Sequence, residues 1–244
     1  MTDRPSILVP LRVLEGESVP EGVPELLADA HVILLGYHVI PEQTAPGQAQ
    51  MQFEDRATDR LDEYEAMFEE AGATVERRLV FTHDGQKTID RMIAEHDCLA
   101  VLVPNATGPV EDVLVPVRGA VGVDRLARVV ASVFGTTEAD VTLYHVAAED
   151  TTDDDIQTLL DGMTDRLTEL GVDPSTIETR IDRDQGPLDA IVEMADSFDT
   201  VVMGETDPSL ATFVFGMPAD QVADRFLGPV FVVQREPASA DANA

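Results

Sequence analysis

Two spacings of apolar residues alternate along the chain. Runs with almost no polar interruption ("SILVPL", "HVILLGY", "CLAVLVP", "DVLVPV", "DVTLYHV", "TVVMG", "PVFVVQ") are short enough for strands and too apolar for strands with one wet face. They predict a mainly parallel sheet covered by helices on both faces. Between these runs apolar side chains return every three or four residues. Phe53, Ala57, Leu61, Tyr64, Phe68 and Ala71 predict one helix, stopped by Gly72. Ile156, Leu160, Met163, Leu167 and Leu170 predict another, stopped by Gly171.

The pattern repeats. "ILVPLR" (Ile7 to Arg12) returns as "VLVPVR" (Val113 to Arg118), "YHV" at Tyr37 returns at Tyr144, and "TVERR" at Thr74 is echoed by "TIETR" at Thr176. The order is kept at an offset of about 105 residues, which indicates two copies of one plan rather than a short-period solenoid. The fold class read from the sequence is therefore α/β, with two tandem, open, doubly wound sheets, the first truncated. The expected domains are 1–108 and 109–236, with a tail at 237–244 of disordered composition. Copy two continues after its fourth strand into a helix, "PADQVADRF", and a last strand, "PVFVVQ"; copy one lacks both. That last strand has no counterpart in the first copy. It predicts an apolar edge, closed most simply by a homodimer through the C-terminal strand.

Charge sets the setting. The net charge is −31 and the pI near 4.1, yet 44% of residues are hydrophobic, as in a globular protein. Lys87 is the only lysine. A carboxylate-covered, lysine-poor surface suits a salt-saturated cytoplasm, where high ionic strength screens the repulsion; an acidic face for a basic protein partner is the alternative. No basic run exists to hold a nucleic-acid backbone. The apolar runs are too short to insert in a membrane, no signal peptide is visible, and Cys98 has no partner for an internal disulfide. A soluble, cytoplasmic protein is expected.

In doubly wound sheets ligands bind beyond the carboxyl ends of the strands. Arg12, Tyr37, Pro104, Arg118, His145 and Gly204 stand there. Arg12 and Arg118 could hold an anion through a bidentate contact, or pair with neighbouring carboxylates. His38 and His145 share a place in the repeat, which favours a structural role over metal or acid–base chemistry. Glu149 to Asp155, "EDTTDDD", could bind a cation or could cap a helix through Thr151 or Thr152. Phe213 and Phe215 could meet a partner or fold over a site. No metal-ligand spacing, nucleophile–base pair, P-loop or dinucleotide fingerprint is present.

The strand endings "LVPVRG", "YHV" and "DTVVMG", with the terminal "GPVFVVQR", resemble the universal stress protein family in its tandem form. The likeness covers nearly all of 110–236 and, more weakly, 5–105. It implies an open α/β fold, which in some members holds ATP between the ends of the first and fourth strands and a glycine loop. By that resemblance Pro116, Val117, Arg118, Val146, Gly204, Gly216 and Met217 occupy the ligand-binding positions. The chain departs from the pattern. Arg118 stands where an aspartate is usual, Asp207 replaces the second glycine, Gly216 arrives one residue early, and Met217 replaces a hydroxyl residue. A phosphate cradle needs close backbone N–H groups and that hydroxyl, so ordinary ATP binding is not expected and no cofactor is assigned. The loop more closely resembles that of stress domains attached to amino-acid permeases. The expected function is a non-catalytic binding or regulatory module in stress response. The alternatives are an adenine-nucleotide sensor or ATPase, and a regulatory domain acting on a transporter.

Overall fold

The computed structural model describes residues 4–119, 122–148, 151–183, 187–205 and 228–235. The first half runs β1 (Ser6–Leu11), α1 (Val23–Leu26), β2 (His31–Val39), α2 (Pro46–Ala71), β3 (Thr74–Thr82), α3 (Gly85–Glu95) and β4 (Ala100–Val103). The second runs β5 (Asp112–Pro116), α4 (Val123–Phe134), β6 (Asp140–Val146), α5 (Asp153–Glu169), a 3-10 turn (Pro174–Thr176), β7 (Ile177–Asp182), α6 (Pro187–Ala195), β8 (Thr200–Gly204) and β9 (Val230–Val233). The helix expected at "PADQVADRF" lies outside the described residues, as do Asp207, Phe213, Phe215, Gly216, Met217 and the tail.

The helices begin and end for local reasons. Thr152 accepts the Asp155 N–H at 3.2 Å and so caps α5, whose first turn carries three aspartates against the positive end of the helix dipole. The capping alternative for the acidic cluster therefore accounts for Thr152 and Asp155. Among the described residues no group of three or more His, Cys, Asp or Glu side chains is placed to hold a metal ion. Helix α2 ends at Gly72, whose φ of 111° suits glycine, with its N–H returned to Glu69 and Phe68 carbonyls.

The α/β class holds, but the two separate sheets read from the sequence are one. All nine strands join in the order β3-β2-β1-β4-β9-β8-β5-β6-β7. Every pairing is parallel except β4 with β9, which runs antiparallel from Ala100↔Val233 to Val103↔Val230. Copy one ends on the open edge of β4, and β9 of copy two fills it within the same chain. The C-terminal strand thus has a neighbour on each side, so the free edge that motivated a homodimer through it is absent. The antiparallel seam also reverses one half against the other. The carboxyl ends of β1, β2 and β4 leave the sheet opposite to those of β5, β6 and β8.

Alternate residues of each central strand feed opposite faces. On one face Ile7, Leu11, Val115, Leu143, Phe231 and Val233 share a single core covered by α1, α2, α4 and α5. The other face carries two smaller cores. Helix α3 packs over Leu8, Ile33 and Val101, and α6 over Leu114, Met203 and Val232. Cys98 is buried in the α3 core, where burial pushes its thiol up to about 12, so it serves as a small apolar residue.

Candidate functional site

The clearest site in the second half starts from β5. Pro116 is paired with Tyr144 of β6, and the Val117 N–H continues the ladder to the Tyr144 carbonyl at 2.8 Å. The Val117 carbonyl then meets His145 Nδ1 at 2.6 Å. A carbonyl only accepts, so Nδ1 carries the proton. The other ring nitrogen, Nε2, has no hydrogen-bond partner among the described residues. These bonds tie the loop after β5 to the end of β6, and a cavity of about 520 Å³ opens above them. Arg118 and Gly119 form one side, His145 the base, and Thr151, Asp155, Ile156 and Leu159 the wall. The volume is that of an ordinary small-molecule site.

Its electrostatics are mixed. Among the described lining residues Arg118 is the only lysine or arginine. Asp155 faces the same space and accepts a 2.6 Å hydrogen bond from the Thr152 hydroxyl, beside Asp153 and Asp154 in the first turn of α5. Beneath, the Tyr144 hydroxyl donates to Asp182 Oδ2 at 3.1 Å. Burial first, and that carboxylate second, push the phenol up to about 12.

The implied site residues divide. Arg118 lines the cavity, while Pro116 and Val117 shape its base through the backbone, the Val117 side chain being buried in the shared core. Val146 packs with the α6 core on the opposite face, and Gly204 ends β8 in register with Val233 without lining the cavity. Gly216 and Met217 lie outside the described residues. That Thr151, Asp155, Ile156 and Leu159, at the start of α5, wall this cavity was not read from the sequence, where Thr151 and Asp155 belonged to a candidate cation-binding or capping cluster. The wall's apolar members carry the helical period that marks any core face, which hid their second role.

The same motifs give a different result in the first half. Arg12 Nε donates to the Tyr37 hydroxyl at 3.1 Å, Nη1 to Glu15 at 3.2 Å, and the backbone N–H to Glu17 at 2.6 Å. The Tyr37 hydrogen bond raises the guanidinium pKa further, against a smaller opposing effect of burial. The ion-pair alternative thus accounts for Arg12. His38 sits edge-on between Phe53 and Phe81 with Nδ1 4.0 Å from Glu15. At this end of the sheet Arg12 is thus engaged by its own neighbours.

No family model matches the sequence, and no curated protein does. Solved structures do match. A universal stress protein from Archaeoglobus fulgidus DSM 4304 is similar over 94% of this chain and 96% of its own, with 18% identity and a TM-score of 0.62. A protein of unknown function from Pseudomonas aeruginosa PAO1 is similar over 96% of this chain and 93% of its own, with 16% identity and a TM-score of 0.52. A putative universal stress protein from Pseudomonas aeruginosa UCBPP-PA14 is similar over 96% and 94%, with 15% identity and a TM-score of 0.50. At these identities the likeness is one of fold. The chain has the universal stress protein fold along nearly its whole length.

Proposed function

We propose that this chain is a universal stress protein acting as a non-catalytic binding module, with a ligand site at the carboxyl end of β5. The observation that carries the reading is the cavity of about 520 Å³ there, lined by Arg118 and His145. Arg118 offers a planar fork of donors for a carboxylate or single phosphate, and His145 offers Nε2 as a further polar contact. Val123, Ile156 and Leu159 supply apolar surface for the rest of the ligand.

An extended triphosphate fits these residues poorly. Arg118 shares the cavity with the carboxylate of Asp155, so a multiply charged phosphate chain meets repulsion there as well as attraction. No hydrolytic step is assigned to the site. The carboxylate-rich, lysine-poor sequence supports a salt-rich cytoplasm as the working place.

Isothermal titration at fixed molar KCl tests the site. AMP should bind more tightly than ATP, and Arg118→Ala should weaken AMP binding at least about tenfold, as loss of a charged hydrogen-bonding partner does. Tight ATP binding that Arg118→Ala leaves unchanged would overturn the reading.

A further inference from the structure

We propose a second binding site, in the groove where the two halves and their connection meet, for a small organic cation with an apolar body. The groove encloses about 570 Å³, as large as the cavity beside Arg118, and shares no lining residue with it. Leu26, Val133 and Phe134 form its apolar wall, with Val110 of the connecting segment. Glu21, Glu25 and Asp29 stand on the rim, and among the described residues no lysine, arginine or histidine lines it.

Acidic residues cover this protein, so the rim alone would decide nothing. The combination decides: a groove with an apolar wall whose charged lining residues, among those described, are all carboxylates. An anion is repelled there, and a bare inorganic cation gains nothing from the wall. A cation carrying aliphatic or aromatic carbon uses both.

The walls are built rather than incidental. Gly22 has a φ of 83°, and a Cβ on it would lie 2.0 Å from the Thr107 carbonyl oxygen, so only glycine lets the connection approach α1 this closely. The Thr107 N–H bonds to the Glu21 carbonyl at 2.9 Å, and the Thr136 hydroxyl reaches Asp29 across the groove at 3.4 Å. The room arises from an asymmetry between copies. After β1 the chain makes a helix of 4 residues, and after β5 the equivalent helix has 12.

The test uses the full chain at fixed KCl, with benzyltrimethylammonium chloride as probe. Benzyl alcohol and phenylacetate are its neutral and anionic controls. The cation should bind saturably at one site and raise the melting temperature, while the controls do neither. Ala28→Phe, which fills the groove, should abolish binding. Glu25→Gln with Asp29→Asn, both exposed, should weaken it roughly three- to tenfold without disturbing the fold. Arg118→Ala should leave it unchanged, which separates this site from the one beside β5. Non-saturating heats, equal binding of the neutral control, or undiminished binding in both groove variants would overturn the proposal. Should Ala28→Phe not fold, the carboxylate pair decides alone.

Discussion

Phe231 is the residue on which the two halves meet most directly. It lies on β9, fully buried, in the core that runs from Ile7 in the first half to Leu143 in the second. Its ring stands edge-on to Phe134 of α4, with centroids 6.0 Å apart. Phe231→Ala removes that aromatic pair and leaves a cavity at the seam, costing about 3–5 kcal/mol. For a chain of this size each kilocalorie lowers the melting temperature by roughly 2–4 °C, so a fall of about 6–20 °C is expected. Leu160→Ala, in the same core but remote from the seam, is the comparison. Scanning calorimetry at fixed KCl gives the shift, and hydrogen exchange shows where protection is lost. If β9 is structurally part of both halves, Phe231→Ala should expose amides of β1 and β4 as well as β5 and β8. Leu160→Ala should affect the second half first. Unchanged protection of β1 and β4 in Phe231→Ala would refute the claim that one core spans the chain.

Two further expectations come from charge and titration. With 47 acidic against 16 basic residues, repulsion should weaken the fold as salt is removed near neutral pH. A melting temperature that stays constant from low to molar KCl would refute the salt-adapted reading. At alkaline pH, Tyr144 holds its proton up to about 12 when folded, against an ordinary value of about 10 unfolded. The folded state then binds more protons, so the stability contributed by Tyr144 is complete below about 10 and is lost as pH rises towards about 12. Tyr144→Phe should flatten the fall of stability across that window, read from denaturant midpoints; an unchanged slope would show that the buried phenol is not its source.

The central strands were legible because both of their faces are buried, which leaves an unbroken apolar run. The outer strands were not. Every interior residue of β7 is exposed, and β3 carries three consecutive charged residues, Glu76 to Arg78, which break up any long apolar run of the kind that marked the others. Charged outer strands of this kind also discourage pairing with other chains. Helix α2 begins at Pro46, earlier than its apolar period suggests, because its first turns are polar and Met51 points to solvent. The seam was hidden for another reason. Val230–Val233 reads as a strand whatever lies beside it, and its partner β4 is more than a hundred residues away in the chain. The repeat shows that a strand is missing from the first copy, without showing that the second supplies it.

The site was legible as far as Arg118, conspicuous in a chain with so few cations. The difference between Arg118 and Arg12 is also written locally, in the residues on the C-terminal side of each. "RVLEGES" places Glu15 and Glu17 within reach of Arg12, and both take it. "RGAVGVD" has no acid before Asp124, and its Gly122, at φ 85°, stands at the N-cap of α4. The longer acidic loop of the first half also leaves only one turn of helix before β2. The segment after the first strand therefore carries two features at once. It sets Glu15 and Glu17 against Arg12, and it brings Glu21, Glu25 and Asp29, in and beside the short helix, to the groove where the halves meet.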